Sequence, residues 1–286
     1  MASRAGAAAI FALLGLVVAG PAAAQSFEVA ADFAACGDPS FQTAVTDGIT
    51  LGIAPAPPYT SLDPATKLPE GIDVEINRAA LGWMGVTTIK YEVAPFGQLI
   101  PMLLSHRIDA IATNIHATPE RLKVIGFTGP AWWYGPAVVV NKTTEPNLTA
   151  FADLRGKAVG AIVGSAADEY LRHIGATVQP FQAGAEEFAA IAQRRVDAVL
   201  EDDVEAAEYL KANPAAPIRI LDALPVPEEI ITSYGYGYAR YGLRKDDCSL
   251  RAAYTQALSE MRGNGSLLHI LKRHGLGLRN VSYVTP

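Results

Sequence analysis

From residue 48 onward, short apolar runs alternate with helical segments, and near residue 150 the alternation begins again. Strands that are apolar throughout need cover on both faces, and helices between them supply it, so the pattern is α/β. "GITLGIA" (48–54) predicts a first strand, and "GIDVEINRAALGWMG" (71–85) a helix with Ile72, Ile76, Ala79, Ala80 and Trp83 on one face. "TTIKYEVA" (87–94) predicts a strand, "FGQLIPMLLSHR" (96–107) a helix, and "IDAIATNI" (108–115) a strand buried on both sides. A helix opened by Thr118 and an extended run, "GPAVVVNK" (135–142), complete the first half.

The second half repeats the plan. "FADLRGKAVGAIVGSAADEYLRHIG" (151–175) predicts a helical turn, a strand and a capped helix; "GAEEFAAIAQRRVDAVLEDD" (184–203) predicts a helix and a strand. "HRIDAIATN" and "RRVDAVLED" share one device: a basic residue, then an aspartate, then an apolar strand that ends in polar groups. "TSYGYGYARYGL" (232–243) predicts a second extended run, and residues 250–276 two helices broken at Gly263-Asn264-Gly265. The simplest topology sends the chain between two similarly built lobes twice, making a hinge with a cleft beside it. Ligands of open α/β sheets sit beyond the carboxyl ends of strands, so the strand-end motifs are expected to face that cleft.

The cleft motifs carry charge. Thr118-Pro119 reads as an N-cap with proline at the first helical position, which places Arg121 in the first turn, where the macrodipole opposes a cation. A guanidinium there joins the free N–H groups in surrounding an anion, and it matches a carboxylate bidentately; a surface ion pair is the plain alternative. Asn114, His116 and Thr118 come from the same strand end. Gly164-Ser165 forms a matching turn, with Ser165 as N-cap and Asp168 closing a capping box. Asp202 and Asp203 follow "DAVLE", where a carboxylate receives an ammonium group or simply opens the next helix. Tyr59 and Phe96 flank the motifs as aromatic walls; Trp132, Trp133 and Tyr134 read as core or hinge packing.

Composition bounds the rest. Of 286 residues half are apolar, the net charge is −6, and no basic run offers a nucleic-acid footprint. Residues 1–24 read as a signal peptide, with Arg4, an apolar core over 7–20 and an Ala22-x-Ala24 cleavage site; 25–47 is a lead-in. In an oxidising compartment the only two cysteines, Cys36 and Cys248, are expected to pair. No spacing of metal ligands or nucleophilic triads appears in the sequence, and no cofactor or metal is expected.

Taken in order, "PPY", "GIDVEI", "FGQLIPMLLSHRIDAI", "ATPER", "FTGP", "DLRGKAVGAIVGS", "RRVDAVLED" and "GNGSLLHILKRHGL" resemble the family 3 extracellular solute-binding proteins, the periplasmic receptors of amino-acid ABC transporters. The resemblance implies a two-lobed periplasmic-binding-protein fold of type II: lobe one at 48–138 and 240–286, lobe two at 142–235, hinge strands at 139–141 and 236–239. It implies a non-catalytic, monomeric periplasmic protein that closes on a small zwitterion and delivers it to an inner-membrane permease. Residue by residue, Arg121 looks like the carboxylate binder, Asp202 the ammonium acceptor and Phe96 the aromatic wall. Asn114 and His116 fall on ligand-contacting positions, and Ser165 keeps the lobe-two hydroxyl. His116 replaces a small hydroxyl residue and is expected to gain charge at low pH. Residues 53–57 offer no acidic side chain, which disfavours arginine, lysine and histidine as ligands. Two alternatives share the fold: an enzyme resembling cyclohexadienyl dehydratase, and a soluble ligand sensor.

Overall fold

The structure is a computed structural model that describes residues 36–144, 147–221 and 224–282. The expected signal peptide and residues 25–35 of the lead-in lie outside the described residues. Along the chain, α1 (Ser40–Asp47) leads into β1 (Ile49–Ile53), a hairpin of β2 (Ser61–Leu62) and β3 (Pro69–Glu70), and α2 (Ile72–Trp83). Then come β4 (Ile89–Val93), α3 (Leu99–Leu104), β5 (Ala110–Ile111), α4 (Pro119–Val124), β6 (Gly126–Phe127) and β7 (Pro136–Asn141). The second half holds β8 (Ala158–Ile162), α5 (Ala166–Ile174), β9 (Thr177–Phe181), α6 (Gly184–Ala192), β10 (Ala198–Asp202), α7 (Asp203–Ala212) and β11 (Ile218–Ile220). The chain closes with α8 (Glu228–Thr232), β12 (Gly242–Leu243), α9 (Cys248–Gly263) and α10 (Ser266–Arg273).

Two five-stranded sheets result, in the orders β4-β1-β5-β12-β6 and β11-β7-β10-β8-β9. Each is mixed: β1 runs parallel to β4 and β5, and β8 parallel to β9 and β10, while β12 and β7 pair antiparallel with their neighbours. Strands β7 and β10 are buried along their whole length, as their continuous apolar runs require. On α2 the buried stripe runs through Ile72, Ile76 and Ala80, whereas Trp83, expected on that face, lies exposed at the helix end.

The shared "R-x-D" device has one structural meaning in both sheets. Asp109 accepts a hydrogen bond from Thr50 N at 2.9 Å, and Asp197 accepts one from Ala158 N at 2.9 Å. Each carboxylate thus pins the first residues of the neighbouring parallel strand, and His106 and Arg194 turn the preceding chain in left-handed geometry, at φ 59° and 60°.

Two expected extended runs are shorter than anticipated. Of 108–115 only Ala110–Ile111 pairs as a strand, because the backbone beyond is taken by other partners: Asn114 N donates to Asp73 and Ile115 N to Arg240 O. Of 232–243 only Gly242–Leu243 is strand; Gly235 and Gly237, with φ of +62° and +102°, bend the chain before it. The two passages between the sheets lie side by side. Ala131 N donates to Ala239 O and Tyr134 N to Gly237 O, both at 2.8 Å, while residues 139–141 sit inside β7.

Cys36 and Cys248 are joined, with Cα atoms 5.4 Å apart across a separation of 212 residues. This ties the start of the described chain to the first turn of α9. Loop-closure entropy for so long a span is worth about 4–5 kcal/mol. Reduction with dithiothreitol, or the Cys36→Ser/Cys248→Ser pair, is therefore expected to lower the melting temperature by several degrees; an unchanged melting curve would count against a stabilising bond.

Candidate functional site

A cavity of about 690 Å³, including the part open to solvent, lies between the two sheets. From the side of the first sheet it is lined by Ala54, Tyr59, Phe96, Asn114 and His116; from the second by Ser165, Ala166, Ala167, Gly184, Glu201, Asp202 and Glu205. Tyr134 and Tyr236, from the two passages, complete it.

Asp73 sets the floor. It lies in the first turn of α2, fully buried, at the end of the helix dipole that favours a carboxylate. Asp73 Oδ1 accepts from Trp132 Nε1 and the Tyr241 hydroxyl, each at 3.0 Å, and Oδ2 accepts from Asn114 N at 2.8 Å. Asn114 Nδ2 then donates to the Tyr134 hydroxyl at 3.1 Å, which is 2.9 Å from His116 Nε2. The His116 ring stacks on Tyr236 with centroids 4.3 Å apart. Burial first, then the charges of Arg121 and Arg240, push the His116 imidazole down to about 3. His116 is therefore neutral except in strong acid. The gain of charge at mildly low pH that its type suggested does not occur, because a cation in this buried, already positive place is too costly.

Arg121 occupies the first turn of α4 as the cap predicts, with its backbone N–H donating to the Thr118 hydroxyl at 3.4 Å. Its side chain is buried, yet it does not line the cavity. Nη1 donates to His116 O at 2.8 Å and Nη2 to Gly164 O at 2.5 Å, so the guanidinium bridges the two sheets. The Thr118 hydroxyl makes a second bridge, donating to Glu169 at 3.2 Å, and Glu169 lies 4.0 Å from Arg121 Nε. Phe96 covers the guanidinium, with its ring centroid 5.3 Å from Arg121 Cζ. Burial lowers the Arg121 guanidinium to about 10, against the pull of Glu169 and Tyr134, so it keeps its charge at neutral pH.

The turn before α5 forms with one change from the expected capping box. Ser165 Oγ accepts from Asp168 N at 3.1 Å, but Asp168 reaches back to Gly164 N, at 2.9 Å, because Ser165 N is already bonded to Ile162 O. Ala166 and Ala167 stand at the start of the helix against the cavity, where N–H groups lack helical partners.

The opposite wall is acidic. Asp202 ends β10 and lines the cavity; Asp203 turns away, accepting from Gly135 N at 3.0 Å where the first passage enters β7. Burial first, then the charge of Glu201, pushes the Asp202 carboxyl far above the usual carboxylate range; the Tyr236 and Tyr59 hydroxyls offset part of this. The Tyr59 hydroxyl is buried without a well-formed hydrogen bond, although it is near enough to bear on that charge. Glu201 and Glu205 are also pushed up by burial, and Glu205 further by the charges of Glu201 and Asp202. Glu187 stands behind them. Neither of its buried oxygens finds a donor, but a proton on Glu187 closes a carboxyl pair with Glu201.

Of the residues singled out in the sequence, Tyr59, Phe96, Asn114, His116, Ser165 and Asp202 share the cavity; Arg121 stands outside it. Tyr134, Tyr236, Glu201 and Glu205 were not anticipated. The aromatic run before "GPAVVV" and the acidic run "EDDVE" were the available signals, but spacing alone does not say which members of a run face inward.

The sequence signature of the bacterial extracellular solute-binding proteins, family 3, matches residues 49–277. The chain belongs to this family. It is similar to the histidine-binding periplasmic protein of Salmonella typhimurium, 27% identical over 236 residues that cover 81% of this chain and 88% of that protein. It is also 30% identical to the L-arginine-binding protein of Pseudomonas aeruginosa over 79% of this chain and 87% of that protein. Among solved structures, an ancestral arginine-binding protein bound to arginine superposes with a TM-score of 0.68, at 27% identity, over 79% of this chain and 96% of that one. An ancestral amino acid-binding protein, a precursor of cyclohexadienyl dehydratase, shares the fold with a TM-score of 0.69 at 20% identity, over 82% of this chain and 98% of that one. The fold of this family member is thus the two-lobed, type II periplasmic-binding-protein fold. Relatives of this kind are named for binding, not for catalysis, and they are periplasmic.

Asp73 gives this site a pH signature. Burial raises its carboxyl from 3.8 to about 6 despite three donors. The folded state therefore holds a proton that the unfolded chain has released between about pH 4 and 6, and stability from this group is lost as pH rises through that window. Relative to Asp73→Asn, the stability of the natural protein is expected to fall by about 3 kcal/mol between pH 4 and 7. Urea unfolding of both proteins at several pH values checks this; a constant difference would show that Asp73 does not titrate there.

Proposed function

We propose that this chain is the periplasmic capture component of an ABC importer, and that it holds an amino acid or related small zwitterion between its lobes. The cavity supports the reading most directly: the helix-start N–H groups of α5 and the Asp202 carboxyl both line it from the second sheet's side, with Tyr59, Tyr134 and Tyr236 completing the lining. In this reading the ligand carboxylate lies at the start of α5, received by the N–H groups of Ala166 and Ala167 and the Ser165 hydroxyl. Arg121 contributes by exchanging its bond to Gly164 O for the carboxylate. Asp202 takes the ammonium group, Asn114 and His116 fix the polar end, and Tyr59 and Phe96 flank the apolar part. We further propose that lobe one carries the first sheet and lobe two the second, with 131–134 and 237–239 as the passages about which they close. The protein then works as an exported monomer, with its signal peptide cleaved near Ala24, and presents its ligand to an inner-membrane permease.

Closure needs an interaction that is better in the closed state than in the open one. Arg121 belongs to the first sheet's side and the start of α5 to the second, so a ligand carboxylate received by both the guanidinium and those N–H groups joins the lobes at a single charged group. A charge-assisted bond to a carboxylate is stronger than the neutral carbonyl contact with Gly164 that it replaces, which favours the exchange.

A thermal-shift screen of amino acids and small zwitterions is expected to give a saturable stabilisation. Arg121→Ala is expected to weaken the best ligand by about 2–5 kcal/mol, measured by calorimetry. Near-normal affinity in that variant would remove Arg121 from the binding pose. Asp202→Asn is expected to weaken ligands that carry an ammonium more than analogues without one, and the opposite ranking would make Asp202 a structural residue. Incubation with prephenate or arogenate is expected to yield no product; turnover would replace the receptor reading with the dehydratase one.

A further inference from the structure

Resting on the receptor reading above, the charge of the cavity can be carried one step further. Three carboxyl groups line it, Glu201, Asp202 and Glu205, and among the described residues no lysine or arginine does. One ammonium group answers one of them. Glu201 is partly satisfied within the protein, since its Oε1 accepts from Asp202 N at 2.9 Å. Glu205 is not. Its side chain is 8% exposed, it faces the cavity, and it makes no hydrogen bond among the described residues. A buried carboxyl without a partner is costly, and selection for stability alone would replace it.

The surroundings admit this carboxyl with care. It lies against Gly184, at the first turn of α6, and any Cβ at that position would collide with it. Across the cavity stand the rings of Tyr59, Tyr134 and Tyr236, whose faces favour a cation over an anion. A second positive group on the ligand fits every one of these features; a neutral side chain leaves Glu205 as unsatisfied as before.

We infer that Glu205, with Glu201 beside it, forms a second cation subsite on lobe two, and that the ligand is an amino acid with a positively charged side chain. The ammonium next to the ligand carboxylate goes to Asp202, and the side-chain cation goes to Glu205 and Glu201. This reverses the expectation drawn from residues 53–57. That segment does lack an acid, but the acids come from the other lobe, from the end of β10 and the first turn of α7. Burial and mutual repulsion raise the Asp202 and Glu205 carboxyls, so a cation placed beside them relieves the repulsion.

Calorimetry on the mature protein tests the inference with three probes: L-arginine, L-citrulline and agmatine. Citrulline keeps the backbone groups and replaces the guanidinium with a neutral urea; agmatine keeps the guanidinium and lacks the carboxylate. Arginine is expected to bind at least about tenfold more tightly than citrulline, and Glu205→Gln to remove most of that ratio by weakening arginine. Citrulline binding as tightly as arginine in the natural protein would overturn the second subsite and leave the amino-acid reading standing. Agmatine binding as tightly as arginine would do the reverse, keeping the cation subsite and removing the carboxylate site. If no probe binds, the second subsite falls, and the wider thermal-shift screen decides the amino-acid reading. The comparison in the natural protein needs no variant, so it stands even if Glu205→Gln fails to fold.

Discussion

Asp73 gathers three donors that lie far apart along the chain: the backbone of Asn114 at the end of a strand, the Trp132 indole in the first passage, and the Tyr241 hydroxyl in the second. Both passages between the sheets are thereby fixed to the start of α2, next to the strand end that feeds the cavity. Each bond contributes about 1–3 kcal/mol, because losing the carboxylate would strand a buried donor. The Tyr134 hydroxyl, Asn114 and His116 build outward from this point, so the binding wall inherits its geometry from one buried acid. Asn77, one turn further along α2, extends the same anchoring by donating to Ala112 O at 3.1 Å and accepting from the Tyr254 hydroxyl of α9.

Charge is distributed unevenly around the cavity, and that asymmetry explains more than any single residue. Cations are spent on backbone carbonyls at the rim: Arg121 on His116 and Gly164, Arg240 on Thr128 at 3.0 Å. Carboxyls are concentrated on the opposite wall, where a low dielectric makes each one raise the cost of ionising the next. A cavity lined in this way favours a cationic group over an anionic one. The bridging bonds of Arg121 and Thr118 also mean that the described state has its two sheets already linked across the cleft.

Local sequence signals were reliable where local physics decides. Thr118 and Ser165 cap their helices as their side chains predict, and the alternation of apolar runs gave two α/β halves. The paired "R-x-D" devices point in the sequence to two similarly built lobes, and their role in pinning adjacent strands follows from parallel pairing. The aromatic run at 132–134 was legible only as packing. Trp132 does pack, but Tyr134 turns to the cavity, and spacing along an irregular segment carries no information about direction. Nor does residue type reveal that burial and two nearby arginines push the pH at which His116 gains charge down to about 3.

By itself, the sequence determined the fold class, the helix caps, the cysteine pairing and which strand ends carry polar groups. Those features depend on periodicity, on neighbours a few residues apart, or on there being two cysteines and no others. Tertiary structure alone decided what those polar groups meet. Arg121 was read as open to an anion and is found engaged by a carbonyl 43 residues away. Glu205, unremarkable on an acidic helix, becomes a buried carboxyl facing the cavity because Gly184 leaves room for it. Partners such as these come from distant segments, and their electrostatic cost depends on burial, which exists only once the chain has folded.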